Sequence, residues 1–240
     1  MEAMIFAAGL GSRLLGETAD KPKALVEVGG KPLLGHAIGK LVSAGAQKIV
    51  VNVHHFAGQI IDFARSREWD IPVLVSDETR QLLDTGGGLK KASRLFSGKA
   101  PVLLYNVDVL SDIDLRGLLQ YHQENRALAT LAVRKRETQR YFKFDKQMQL
   151  VGWLNKKNGE TIIARPGIFD TAEELAFSGI HVVSPQLFAL FPEQDRFSLI
   201  SVYLELAKTH IIKGYLHQND SWADVGKPAE LAEARKLCVK

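Results

Sequence analysis

The residues best suited to chemistry open the chain. In AAGLGSR (residues 7–13), Gly9 and Gly11 follow a short apolar run, and Arg13, Lys21 and Lys23 come directly after it. Glycines lack a Cβ, so the backbone N–H groups of such a loop can converge on an anion. An Arg fork together with a Lys point charge suits a polyphosphate. Pro22 holds the backbone extended just before Lys23. A second group is acidic: PVLLYNVDVLSD ends an apolar run on Asn106 and Asp108, and DSWADVG sets Asp224 between Trp222 and Val225. A carboxylate is costly to bury unpaired. Two of them can hold an octahedral Mg²⁺ whose other ligands are waters and phosphate oxygens. The plain alternative is that Asp108 caps the following turn and Asp224 the last helix, and spacing alone leaves both readings open. A third group, DTGGGLKKA, places Gly86, Gly87 and Gly88 at a helix start. There a flat base could lie against backbone, or the glycines could simply make a loop with Asp84 or Thr85 as N-cap.

These groups need a scaffold, and the hydrophobic pattern supplies one. Residues 3–8, 48–53, 71–76, 100–106 and 128–133 read as buried strands, alternating with helical runs over 31–45, 56–69, 87–96 and 114–125. Strands too apolar for a solvated face, separated by helices, point to an α/β fold with a Rossmann-like, mostly parallel central sheet and helices on both faces. Ligands of such a sheet belong at the carboxyl ends of its strands. After residue 134 the pattern changes to polar-turned hairpins with Asn158-Gly159 as a turn, so 134–175 reads as a small β-rich insertion or lid within a single 1–240 domain. Residues 175–185 return to a buried strand, 197–210 to a helix, and 211–226 to short strands. Pro228 then sits where the first turn of a last helix tolerates it.

Composition narrows the classes further. With 240 residues and 46% hydrophobic content, a sizeable core is expected. The net charge of +4 is spread rather than clustered, which argues against a nucleic-acid footprint. No run is long enough for a membrane helix. Cys238 is the single cysteine, so no disulfide framework exists, and a reducing cytoplasm is the expected location. A dehydrogenase reading fails because GxGxxG would need glycine where Leu14 stands, and the Walker pattern is missing as well. His54 and His55 read as structural or surface residues.

Taken together, the motifs resemble those of the nucleoside-diphosphate-sugar pyrophosphorylases, the sugar-1-phosphate nucleotidyltransferases. The family's GxGxR signature followed by PK is met by Gly9, Gly11, Arg13, Pro22 and Lys23, and its metal carboxylates correspond to Asp108 in NVD and Asp224 in WADVG. DTGGGLKKA, FSGIHVVSP and SWADVG are similar to segments of the compact bacterial branch that includes the N-acetylmuramate 1-phosphate uridylyltransferases. The resemblance implies an Mg²⁺-dependent reaction of an NTP with a sugar 1-phosphate, releasing pyrophosphate. It implies Arg13 on the β and γ phosphates and Lys23 between the α-phosphate and the sugar phosphate. The base would meet backbone of Ala7, Ala8 and Gly87, with Gln81 at its edge and Gly9 and Gly11 beneath the phosphates. The sugar would lie by Asn106 and Gly179. UTP with N-acetylmuramate 1-phosphate leads, and mannose or heptose guanylyl transfer follows. A non-catalytic nucleotide-sugar sensor is the competing class.

Overall fold

The computed structural model describes residues 1–11, 14, 16–66 and 69–237. The chain begins with β1 (Glu2–Phe6), β2 (Glu27–Val28), β3 (Lys31–Pro32), α1 (Leu33–Ser43), β4 (Lys48–Val53), α2 (Ala57–Arg65) and β5 (Val73–Asp77). It continues through α3 (Asp84–Ala92), β6 (Val102–Asn106), β7 (Val109–Ser111), α4 (Leu115–Glu124), β8 (Ala129–Arg134), β9 (Arg140–Phe144), β10 (Leu150–Asn155) and β11 (Glu160–Ile163). The last elements are β12 (Glu173–Val183), α5 (Leu199–Leu206), β13 (Ile212–Leu216), β14 (Trp222–Asp224) and α6 (Pro228–Leu237).

The central sheet is parallel on one side and mixed on the other. β5, β4, β1 and β6 lie side by side in parallel register. β12 then runs antiparallel to β6, β8 antiparallel to β12, and β13 parallel to β8. Alternate residues of the strands face opposite layers, as the period of two requires. Ala3 and Ile5 join one core with Leu34, Ile38 and Ile60 of α1 and α2, whereas Met4 and Leu104 join another with Leu89 of α3 and Tyr203 of α5. The sheet is therefore covered on both faces, as expected from its apolar strands.

The β-rich segment after residue 134 is joined to this sheet by a shared strand. β9, β10 and β11 pair antiparallel, with Gly159 at φ +73° in the turn of the β10–β11 hairpin. The start of β12 pairs with β9, and its remainder with β8 and β6. The register of β12 against β8 shifts between Phe177 and His181, and Gly179 at φ +76° lies within that bulge. A side chain at Gly179 would meet Val109 and Asn106 at 2.8 and 3.0 Å. Several expected elements shift at their ends. The helix expected at 31–45 starts at Leu33, after a short β2–β3 ribbon. Asp114 caps α4 by accepting from the Arg116 and Gly117 N–H groups at 3.0 Å.

Candidate functional site

The carboxyl ends of β1 and β6 open into a cavity of about 370 Å³ lined by Ala7, Ala8, Gly9, Lys23, Asn106 and Asp108, with Asn52, Glu78, Leu82 and Thr85 opposite. This is where the parallel topology places a ligand. Its floor is held by a buried polar chain. The Ala7 N–H donates to Asn52 Oδ1 at 2.8 Å, and Asn52 Nδ2 donates to Glu78 Oε1 at 2.8 Å. The Leu83 N–H donates to the other Glu78 oxygen at 3.2 Å. Glu78 is only 1% exposed, and burial pushes its carboxyl above the ordinary value against the opposing bonds from Asn52 and Leu83. The glycine loop is thereby tied to the start of α3. Above that floor, a Cβ at Gly9 would meet nothing within 4 Å, so the cavity wall here is bare backbone. Gly11, at φ +67°, turns the chain back so that its carbonyl accepts from Leu14 N–H at 2.9 Å and from the Thr18 hydroxyl at 3.2 Å. Arg13 lies outside the described residues.

The two aspartates, far apart in sequence, are brought into neighbouring backbone positions. β14 pairs antiparallel with β7, setting Asp224 opposite Val109, and the Val225 N–H donates to the Asp108 carbonyl at 2.9 Å. Asp108 accepts from Lys23 Nζ, and Asp224 Oδ1 accepts from the Gly226 N–H at 2.8 Å. Asp224 thus makes a local turn bond and stands across the ribbon from Val109. Asp108, in the turn between β6 and β7, and Asp224, at the end of β14, carry hard carboxylate oxygens, the donor chemistry that suits Mg²⁺ completed by waters and phosphate oxygens.

Asp224 also lines a second cavity of about 820 Å³, walled by Arg136, Thr138, Arg140, Tyr141, Asn155, Lys157 and Lys227. Trp222, two residues before Asp224, is its structural pivot. The Arg134 and Arg136 guanidinium groups stand 5.6 and 4.7 Å from its ring centre, and its indole N–H donates to the Ser178 carbonyl at 2.9 Å. Ser178 in turn belongs to an Asp–His–Ser chain: His217 Nδ1 lies 2.8 Å from both Asp220 oxygens, and its Nε2 lies 2.7 Å from Ser178 Oγ. The connectivity is that of a hydrolytic triad, but Ser178 is fully buried. No substrate reaches that hydroxyl, and the chain instead pins the β12 bulge beside Asn106.

Not every expected site residue arrives at the cleft. Gln81 and Gly87 line a neighbouring basic pocket with Arg80, Lys90 and Arg94. The triple glycine serves close packing: a Cβ at Gly87 would stand 1.9 Å from the Asp195 carbonyl oxygen, one at Gly86 would strike Phe197, and one at Gly88 would reach Glu78 Oε1 at 2.7 Å. The faces expected to receive a base are thus filled by the 195–197 segment and by the buried floor. Thr85 does not cap its own helix either, for its hydroxyl accepts from the Leu199 N–H of α5 at 3.0 Å. Sequence reasoning passed over Asn52 and Glu78. The available signal was an Asn inside the otherwise apolar KIVVNV strand, where amides are disfavoured. Arg136 and Trp222 gave no comparable signal.

The layered sheet, with its cavity at the carboxyl ends of the parallel strands, is that of a nucleotidyltransferase-type enzyme. The profile of the Nucleotidyl transferase family matches residues 2–240, and the chain belongs to that family. It is 33% identical to the N-acetylmuramate alpha-1-phosphate uridylyltransferase of Caulobacter vibrioides, over 97% of both chains. It is 30% identical to the mannose-1-phosphate guanyltransferase of Yarrowia lipolytica over 96% of this chain, which spans 62% of that longer protein. Among solved structures, HddC from Yersinia pseudotuberculosis complexed with GMP-PN superposes with a TM-score of 0.78 at 21% identity, covering 98% of each chain. That likeness establishes the fold. Among the described residues no helix is long and apolar enough to cross a membrane.

Proposed function

We propose that the protein joins an NTP to a sugar 1-phosphate, forming a nucleoside diphosphate sugar and pyrophosphate. The observation that carries this reading is that Asp108, bonded to Lys23, lines the backbone-walled cavity while the β7–β14 pairing sets Asp224, which lines the second cavity, beside it in the backbone. The nucleotide is assigned to the cavity walled by Ala7, Ala8 and Gly9, and the sugar to the side of Asn106, Gly179 and Asp224. A phosphate monoester with a second pKa of about 6 is already largely dianionic near neutrality, so an oxygen of the sugar phosphate attacks the α-phosphorus without a general base. One P–O bond forms to the sugar phosphate, the α–β P–O bond breaks, and pyrophosphate leaves with the electron pair.

The protein's task is then positioning and charge. Lys23 lies where the α-phosphate and the sugar phosphate meet, and Arg13 is assigned to the β and γ phosphates. Asp108 and Asp224 would hold Mg²⁺, which when bound reduces the repulsion between the two anions.

The preferred substrates are UTP and N-acetylmuramate 1-phosphate, supported by the 33% identity to the Caulobacter enzyme along its length. Guanylyl transfer is the second reading, supported by the Yarrowia relative. Pyrophosphate release in Mg²⁺ should be measured for four NTPs against N-acetylmuramate, N-acetylglucosamine, mannose and heptose 1-phosphates. Release with one pair is expected. Tight nucleotide-sugar binding with no release from any pair would replace the enzyme by a sensor.

A further inference from the structure

With Gln81 and Gly87 in the neighbouring pocket, the base edge in the cavity beside Gly9 falls to other groups, and most polar side chains there are already engaged. Asn52 and Glu78 bond each other and the Ala7 and Leu83 N–H groups, and the Thr85 hydroxyl accepts from the Leu199 N–H. Two charged side chains on the α3 side differ. Asp84 and Arg196 line the same cavity, and neither has an ion-pair partner among the described residues. Asp84, at φ +61°, spends Oδ1 on the Thr85 N–H at 2.6 Å, and its other oxygen makes no hydrogen bond among the described residues. The segment that carries Arg196 is clamped on both sides. Lys90 Nζ donates to the carbonyls of Pro192, Glu193 and Gln194 at 2.9, 2.7 and 3.2 Å, and the Gly86 N–H donates to the Phe197 carbonyl at 2.9 Å. The close packing of the triple glycine thus brings one guanidinium to the cavity.

We propose that Asp84 and Arg196 read the hydrogen-bonding edge of the base, selecting a carbonyl beside a ring N–H over an amino group beside a bare ring nitrogen. A guanidinium only donates and a carboxylate only accepts. Uracil presents O4 next to N3–H, and guanine O6 next to N1–H, so each offers the acceptor and donor that this pair complements. Cytosine and adenine present the reverse, setting donor against donor and acceptor against acceptor. This rests on the assignment of the cavity to the nucleotide, to which it adds two specificity-determining side chains. The charges support the orientation: a carboxylate at Asp84 repels a triphosphate, which leaves the phosphates to the side of Lys23.

Calorimetric titration with UDP, CDP, GDP and ADP tests this without turnover. The wild type should bind UDP about 30-fold more tightly than CDP, in the range of one paired base contact, and GDP more tightly than ADP. Arg196→Met, at an exposed side chain, should narrow the UDP-to-CDP ratio by at least about tenfold. Asp84→Asn should narrow it too, because an amide can turn its N–H toward the cytosine nitrogen. Asn accepts the left-handed backbone and keeps an oxygen for the Thr85 N–H, so that variant retains its fold. A wild-type ratio near one, a ratio unchanged in both variants, or equal losses on all four nucleotides overturns the proposal. Absence of binding by all four removes the nucleotide from this cavity and the proposal with it. If the ratio holds and no NTP releases pyrophosphate with any sugar 1-phosphate, nucleotidyl transfer fails and the base reader stands.

Discussion

The two halves of the site are built from different materials. The proposed nucleotide side is backbone over a buried polar floor, bare Gly9 above Asn52 and Glu78, backed by glycines packed against the 195–197 segment. The proposed sugar side is side chains on antiparallel strands, with guanidinium groups against Trp222 and cations around an open cavity. Backbone surfaces tolerate little added volume, whereas side-chain surfaces tolerate exchange but respond to charge. Under the proposed function, the first arrangement would keep what every NTP shares, and the second could change with the sugar.

The largest expected effect falls where the halves meet. Asp108→Asn or Asp224→Asn should each lower pyrophosphate release by about 10³-fold, comparable to removing a group that stabilises transition-state charge, with circular dichroism and Tm nearly unchanged. A large fall in Tm instead would make the pair a structural feature of the ribbon. Next comes volume behind the backbone-walled cavity, where the triple glycine packs against the 195–197 segment. Gly87→Ala forces a Cβ onto the Asp195 carbonyl and should cost about 3 kcal/mol, read as a Tm lower by about 6–12 °C. A neutral Gly87→Ala would show that the 195–197 segment can move away, weakening the contrast between a rigid and an adaptable half.

Acid should then strike the antiparallel half. His181 is buried against Tyr203, whose hydroxyl lies 2.8 Å from its Nδ1, and burial pushes it down to about 3. His122, beside the Thr130 and Ser184 hydroxyls, is pushed by burial down to about 4. Both folded values lie below the ordinary 6.5, so the unfolded chain takes up protons first as pH falls. Their contribution is complete above pH 6.5 and declines below it, at up to about 1.4 kcal/mol per pH unit for each histidine. Urea unfolding between pH 7.5 and 5 reads this slope, and a flat profile over that window contradicts it. The smallest effect concerns the seam under the nucleotide cavity. Thr85→Val removes the acceptor for the Leu199 N–H and should cost about 1 kcal/mol in urea unfolding. No measurable loss would mean that water replaces the hydroxyl.

The parallel half was legible because each βα unit is local: an apolar run of five or six residues, a polar turn and an amphipathic helix can be read in one window. The glycine loop, Lys23 and both aspartates were legible for a related reason, since each is conspicuous in its own segment. That Asp108 and Asp224 stand side by side depends on β7 and β14 pairing across most of the chain, which no window contains. Gly86–Gly88 left two readings open because a glycine run marks close approach without saying what approaches, and the 195–197 segment packs against it. Arg136 was invisible for the opposite reason, because an arginine in a polar hairpin region reads as solvated surface until Trp222 is placed beneath it.

The strand β12 has a consequence for how the chain is made. β6 is paired with β1 by contacts available early, but its other edge waits for Ile180–Val183, and β8 has neither neighbour until β12 and β13 arrive. A growing or prematurely stopped chain that lacks Glu173–Val183 would expose apolar edges such as Val102–Tyr105, which are templates for pairing with other chains. Synthesis therefore passes through a stage at which the parallel half is largely written but its sheet cannot be closed, and quality control at that stage acts on the missing strand rather than on either cavity.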